Sequence, residues 1–167
     1  MTQFHYLYDR YAPAVRRFAL FLSGDTATAD DITSETFVRA WTNTGTIRES
    51  TIKAYLFTIA RNLYVDTLRR DRRRAQLDES LTDPRPNIGA RVEHASELAN
   101  VMRAMRELPD VDRAALLMRS SEEMSYEEIG DALGLPISAV RVKVHRARVK
   151  LMKFCAQPAG IAKGEPK

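Results

Sequence analysis

One cysteine, Cys155, stands in the 167 residues, so no internal disulfide framework can form. The three histidines, His5, His94 and His145, are too scattered to complete a zinc site with that single thiol. A glycine-rich phosphate loop, a serine elbow and a His/Cys pair at meaningful spacing are all missing. These absences point away from an enzyme, and no metal, cofactor or small-molecule substrate is expected. No apolar run approaches the roughly 18 residues of a membrane span, and the first residues lack a signal-peptide pattern. A cytoplasmic protein that is not itself membrane-inserted is therefore expected.

Acid is scarce at one end only. Residues 135–167 hold eight Lys/Arg against a single acid, Glu165, whereas residues 101–134 hold four against eight. The modest formal charge of +4 conceals this split. A basic terminal module beside an acidic one points to a local nucleic-acid face.

Apolar spacing is helical nearly throughout. Leu7, Tyr11, Val15, Phe18 and Leu22 follow a period close to 3.6 over 4–22, and Ser23-Gly24 stops that helix. A second helix, about 27–41, has Ile32, Phe37, Ala40 and Trp41 as its expected buried set. The polar stretch 42–51, TNTGTIREST, reads as a loop. A third helix, about 52–73, carries Ala54, Leu56, Phe57, Ile59, Ala60, Leu63 and Leu68 and ends in a run of arginines. Pro84, Pro86, Asn87 and Gly89 then mark a linker. Helical pattern resumes near 95–108 and again at 112–120, and the stretch from Ala156 is too rich in Pro, Gly and Lys to pack. The expected fold is all-α, with two small helical domains joined by a flexible linker. Its divisions are 1–74, linker 75–95, 96–155, and a disordered tail 156–167.

Within the second domain, 124–151 reads as a helix-turn-helix. Ser125 and Glu128 fit a capping box, Gly134 fits a left-handed helix end, and Pro136 starts the next helix. Val140, Val144, Ala147 and Leu151 make one buried stripe. The opposite side presents Ser138, Val142, His145, Arg146 and Val149, flanked by Arg141, Lys143, Arg148 and Lys150. An apolar back and a cationic front suit the DNA major groove; a helical hairpin with a solvated basic face is the plainer reading.

Two further constellations stand in the first domain. The third helix interleaves Tyr55, Phe57, Asn62 and Tyr64 with Arg61, Arg69, Arg70 and Arg73. Aromatic faces can stack on unpaired bases while arginines hold phosphates. For Phe57 and Tyr64 a core role competes with that reading. Five arginines between 69 and 74 repel one another without anionic partners. The acids Asp30, Asp31 and Glu35, with Ser34 between them, read either as a helix-start cap or as a docking surface for a basic partner.

These segments together resemble the extracytoplasmic-function sigma factors of bacterial RNA polymerase, over about residues 4–154. ADDITSETFVRAW (29–41) is similar to the family's polymerase-binding helix, and KAYLFTIARNLYVDTLRRDRRR (53–74) to its −10-reading and melting helix. Residues 108–151 are similar to its −35-binding domain. The resemblance implies that Asp30, Asp31, Ser34 and Glu35 bind core RNA polymerase, at the β′ clamp helices, with β a further contact. It implies that loop 42–51 forms a pocket for a flipped −10 base. Tyr55, Arg61, Asn62, Tyr64, Arg69, Arg70 and Arg73 would hold melted −10 DNA. Ser138, Arg141, Val142, Lys143, His145, Arg146 and Arg148 would meet the −35 duplex. Promoter DNA, core polymerase and an anti-sigma factor are the implied partners. Three positions depart from the family's habit: Pro136 and Val142 stand where serine is frequent, and Tyr55 where tryptophan is. Val142 can touch a thymine methyl but cannot hydrogen-bond a base edge, which leaves polar readout to Arg141 and Arg146.

Overall fold

The structure is a computed structural model that describes residues 3–43, 52–77 and 96–156. Of the expected base-pocket loop 42–51, linker 75–95 and tail 156–167, residues 44–51, 78–95 and 157–167 lie outside the described residues. Among the described residues seven helices run in order: α1 (Gln3–Ser23), α2 (Thr26–Thr42), α3 (Ile52–Leu77), α4 (Ser96–Arg106), α5 (Asp110–Ser120), α6 (Tyr126–Leu133) and α7 (Ile137–Cys155). No strand occurs among the described residues, and the fold is all-α as the periodicity predicts.

Each helix boundary has a local cause. Gly24, at φ 69°, takes the left-handed conformation that ends α1, and its N–H donates to Leu20 O at 2.7 Å. The Asp25 carboxylate then caps α2 by accepting from Thr28 N at 2.9 Å. That bond, with the Thr28 hydroxyl as the largest contributor, holds the Asp25 carboxyl below its ordinary value. The cap reading of Asp30 and Asp31 is thereby corrected: Asp25 fills that role, and both acids fall beyond the first turn. α3 runs past the expected end at Arg73 to Leu77, because Ala75, Gln76 and Leu77 are good helix formers. α5 begins at Asp110 rather than Asp112, directly after Pro109, with both acids in a first turn where negative charge is favoured.

α1, α2 and α3 close around Val15, Phe18, Leu22, Ile32, Phe37, Leu56, Phe57 and Ala60, all buried. Phe18 and Phe57 meet edge-on with ring centres 4.9 Å apart. One expected core member is not there. Trp41 is 51% exposed. It stands at the far end of α2, where it meets the Phe4 ring edge-on at 4.6 Å but is not enclosed by the three-helix core. In the second unit α5, α6 and α7 enclose Met118, Met124, Ile129, Val140, Val144 and Ala147, with α4 laid against α7.

The two units also pack directly on each other: α1 meets α4 and α5, and α3 meets α6. Buried Arg113 of α5 donates to Leu22 O at the end of α1 (2.6 Å) as well as to Leu108 O (3.1 Å). Glu122, in the turn after α5, takes the Arg17 guanidinium at 2.8 Å, and its backbone carbonyl accepts from Lys53 Nζ. Nothing in the periodicity of either segment foretold these pairs.

Candidate nucleic-acid and polymerase interfaces

The helix-turn-helix forms as its signals require. Ser125 Oγ accepts from Glu128 N at 3.1 Å while the Glu128 carboxylate accepts from Ser125 N at 2.7 Å. Gly134 ends α6 at φ 65°. Gly130 is needed for a different reason: a Cβ there would sit 2.7 Å from the Leu135 carbonyl oxygen, so the turn closes only over a bare backbone.

Val140, Val144 and Ala147 are fully buried and Leu151 half-buried, which turns the rest of α7 outward. Ser138, Arg141, Val142, His145, Arg146 and Arg148 are exposed and Lys143 is half-buried. Val142 is 59% exposed, an apolar spot amid cations. The Arg141 guanidinium lies over the Tyr126 ring at 5.4 Å, with Arg119 on that ring at 4.4 Å. Arg141 is thus held at the outer face rather than left to wander. Lys143 and Arg146 lean the other way. Arg146 Nε donates to Asp112 Oδ2 at 2.9 Å, Arg146 Nη2 lies 3.4 Å from Asp112 Oδ1, and Lys143 Nζ is 3.4 Å from that same oxygen. The Nε–Nη2 edge of Arg146, one of the edges able to fork onto a guanine, faces protein.

On α3 the residues divide by side. Tyr55, Asn62, Arg69 and Arg73 recur at intervals of seven, seven and four, so they share one side, with Arg70 beside it. Asn62, Arg69, Arg70 and Arg73 are exposed, and Tyr55 and Arg61 half-buried. Arg69 lies 3.9 Å from Asp66. Tyr64 points elsewhere. It is only 6% exposed, and its hydroxyl reaches Asp110 Oδ1 at 3.4 Å on the second unit. Burial, and next the Asp110 charge, push that hydroxyl above its ordinary pKa.

On α2, Asp31, Ser34 and Glu35 are exposed on one side. Asp30 Oδ1 is 2.6 Å from Arg16 Nε, and Glu35 pairs with Arg39 at 2.9 Å, so two of the three carboxylates already have cations. Residues that the sequence did not flag are Tyr126, Asp112 and Glu122. Each acts on a partner in another helix, which no spacing within a single helix signals.

Comparison with known proteins matches these two units separately. Residues 7–74 match Sigma-70 region 2, and residues 98–151 match Sigma-70, region 4. The chain is 31% identical to the ECF RNA polymerase sigma factor SigL of Mycobacterium tuberculosis, over 94% of this chain and 90% of that one. The chain belongs to the ECF RNA polymerase sigma factors. Another ECF sigma factor, SigE of Mycolicibacterium smegmatis, is 33% identical across 94% of this chain and 63% of its own length. Among solved structures, the sigma factor RpoE in complex with the anti-sigma factor NepR from Bartonella quintana superposes with a TM-score of 0.78. The two share 25% identity over 92% of this chain and 97% of that one. In this ECF sigma factor the match to region 2 spans α1–α3, almost to the end of α3, and the match to region 4 ends within α7.

Proposed function

We propose that the chain serves as an alternative bacterial sigma factor that binds core RNA polymerase and directs promoter-specific initiation. The observation that carries this reading is a region 2 unit and a helix-turn-helix region 4 unit in one chain, the latter with a cationic outer face on α7. In this reading the chain does no chemistry of its own and works in the cytoplasm. The domain roles are 1–74 for polymerase and −10 DNA, and 96–155 for −35 DNA.

Asp31, Ser34 and Glu35, with Asp30 at the edge, form the surface for the β′ clamp helices. Their exposure supports this, as does charge that a basic partner can compete for. α7 reads −35 duplex through Arg141, Val142, His145 and Arg148, with Ser138, Lys143 and Arg146 flanking. Arg141 is the stronger candidate for polar base contact, since Tyr126 holds it outward. The side of α3 that bears Tyr55, Asn62, Arg69 and Arg73, with Arg61 and Arg70, takes the melted −10 strand by stacking and phosphate contact. Tyr64 joins only after α5 moves off α3, because Asp110 and burial hold it in the packed arrangement. An anti-sigma factor fits the account as a ligand that prevents that separation. Support comes from the superposition on a sigma factor bound to NepR.

The test is co-elution with sigma-free core polymerase of the native chain and of the charge-reversed Asp31→Lys/Glu35→Lys variant. The native chain is expected to co-elute and the variant to lose at least tenfold in affinity while keeping its helical content. Equal binding by both would remove α2 from the polymerase interface; no binding by the native chain would remove the sigma reading.

A further inference from the structure

Asp112 is the most enclosed carboxylate among the described residues, at 2% exposure. It stands in the first turn of α5, where the helix dipole favours negative charge. Its two oxygens engage Arg146 and Lys143, respectively 34 and 31 residues further along the chain. One turn on, Lys150 Nζ donates to Glu107 O at 3.0 Å. Lys143, Arg146 and Lys150 recur at intervals of three and four, so they form one edge of α7, and that edge is turned toward the α4–α5 corner. Ser138, Arg141, Val142, His145 and Arg148 are exposed away from it.

Cations on a DNA-reading helix have two opposed effects. Each one free to reach a phosphate adds affinity for every sequence, and releases counterions as it does so. Only side chains in register with base edges add discrimination. A buried carboxylate within 3.4 Å of two cations cancels much of their field and fixes where their side chains point. We propose that Asp112 is a specificity-positioning residue: it withdraws Lys143 and Arg146 from the phosphate backbone. Recognition then depends on the outer face, where Arg141 stacks on Tyr126. The inference rests on the −35 reading of α7 and adds to it a residue that does not touch DNA.

The charge-neutral, nearly isosteric Asp112→Asn separates this role from mere helix-to-helix packing. Binding of the full chain to a random-sequence duplex is measured as a function of salt. Each additional phosphate neutralised steepens the slope of log K against log[salt] by about 0.9. Asp112→Asn is expected to bind that duplex more tightly at low salt, with a slope steeper by about 0.9 to 1.8 for one or two freed cations. A packing role predicts a lower melting temperature with the slope unchanged, and that result overturns the inference. In the native background, Arg148→Gln is expected to flatten the slope by close to 0.9 and Lys143→Gln by clearly less. Equal flattening by the two also overturns it, even where Asp112→Asn fails to fold. Absence of any salt-dependent binding by the native chain would overturn the DNA reading of α7 and this inference with it, whereas binding with equal slopes removes the inference alone.

Discussion

Removing the Arg17 side chain should loosen the packing of the two units without unfolding either. Arg17 belongs to α1 and Glu122 to the turn after α5, and they meet at 2.8 Å. The Glu122 side chain is only 4% exposed whereas Arg17 is 47% exposed. A pair exposed at both ends contributes about 0–1 kcal/mol, and breaking a fully buried one costs about 3–5 kcal/mol. This pair lies between those limits, and Glu122 regains water once the units separate. About 1–2 kcal/mol is therefore expected, equivalent to a factor of about 5 to 30 in the equilibrium between packed and separated units. Dyes on the exposed native Cys155 and on a cysteine introduced at the exposed Asp9 report that equilibrium by energy transfer. Arg17→Ala should lower the transfer efficiency, and Glu122→Ala should lower it by a similar amount. The double variant should lower it by about as much as either single one, since the same interaction is lost in all three. If separation limits polymerase or promoter binding, apparent affinity for core polymerase rises by up to the same factor. Unchanged energy transfer in Arg17→Ala, with helical content intact, would refute the claim that this pair holds the units together.

Three further outcomes test the local physics. Gly130→Ala should destabilise the second unit more than Gly134→Ala: the first drives a Cβ to 2.7 Å from the Leu135 carbonyl, while the second meets no atom within 4 Å and pays only for its φ of 65°. Thermal melts of the two variants decide this, and the reverse order would contradict it. Asp25→Ala should cost about 0.5–2 kcal/mol at neutral pH through loss of the α2 cap. The Asp25 carboxyl is held below its ordinary value by Thr28, so its contribution is present above the ordinary carboxylate range and is lost as pH falls through the lowered value. The native and variant melting temperatures should accordingly converge in acid, and a constant gap would argue against an ionic cap. Tyr64→Phe should leave the packed arrangement nearly intact, because the Asp110 contact is long at 3.4 Å, whereas Tyr64→Ala should open it; energy transfer between the same dyes separates the two.

Legibility from sequence followed the range of the interactions. The capping box at Ser125 and Glu128, the left-handed Gly134 and the Val140–Val144–Ala147 stripe are set by neighbours within a few residues, and all stand as read. The acids of α2 and the exposed side of α3 were legible as surfaces for the same reason. Two readings failed, one on how far along its helix a residue stands and one on which acid begins the helix. Trp41 has the spacing of a core residue, yet it stands beyond the packed centre of α2, which periodicity does not encode. Asp30 and Asp31 stand near enough to a helix start to read as its cap, but Asp25 with Thr28 supplies it one turn earlier. Arg146 has an outward angle on α7, and no pattern within α7 reveals the carboxylate on α5 that engages it. The packing of Arg113 on Leu22 O and of Tyr64 beneath Asp110 depends on how two separately legible units meet.

Promoter-directed initiation is decided by in vitro transcription with sigma-free core polymerase, the full chain and pooled genomic DNA, mapping the transcript starts. Discrete starts are expected that depend on the chain and share upstream elements at −35 and −10, and that are lost when the outer face of α7 carries Arg141→Ala/Arg148→Ala. Starts that are scattered without a common upstream element, or that persist unchanged without the chain, would contradict it.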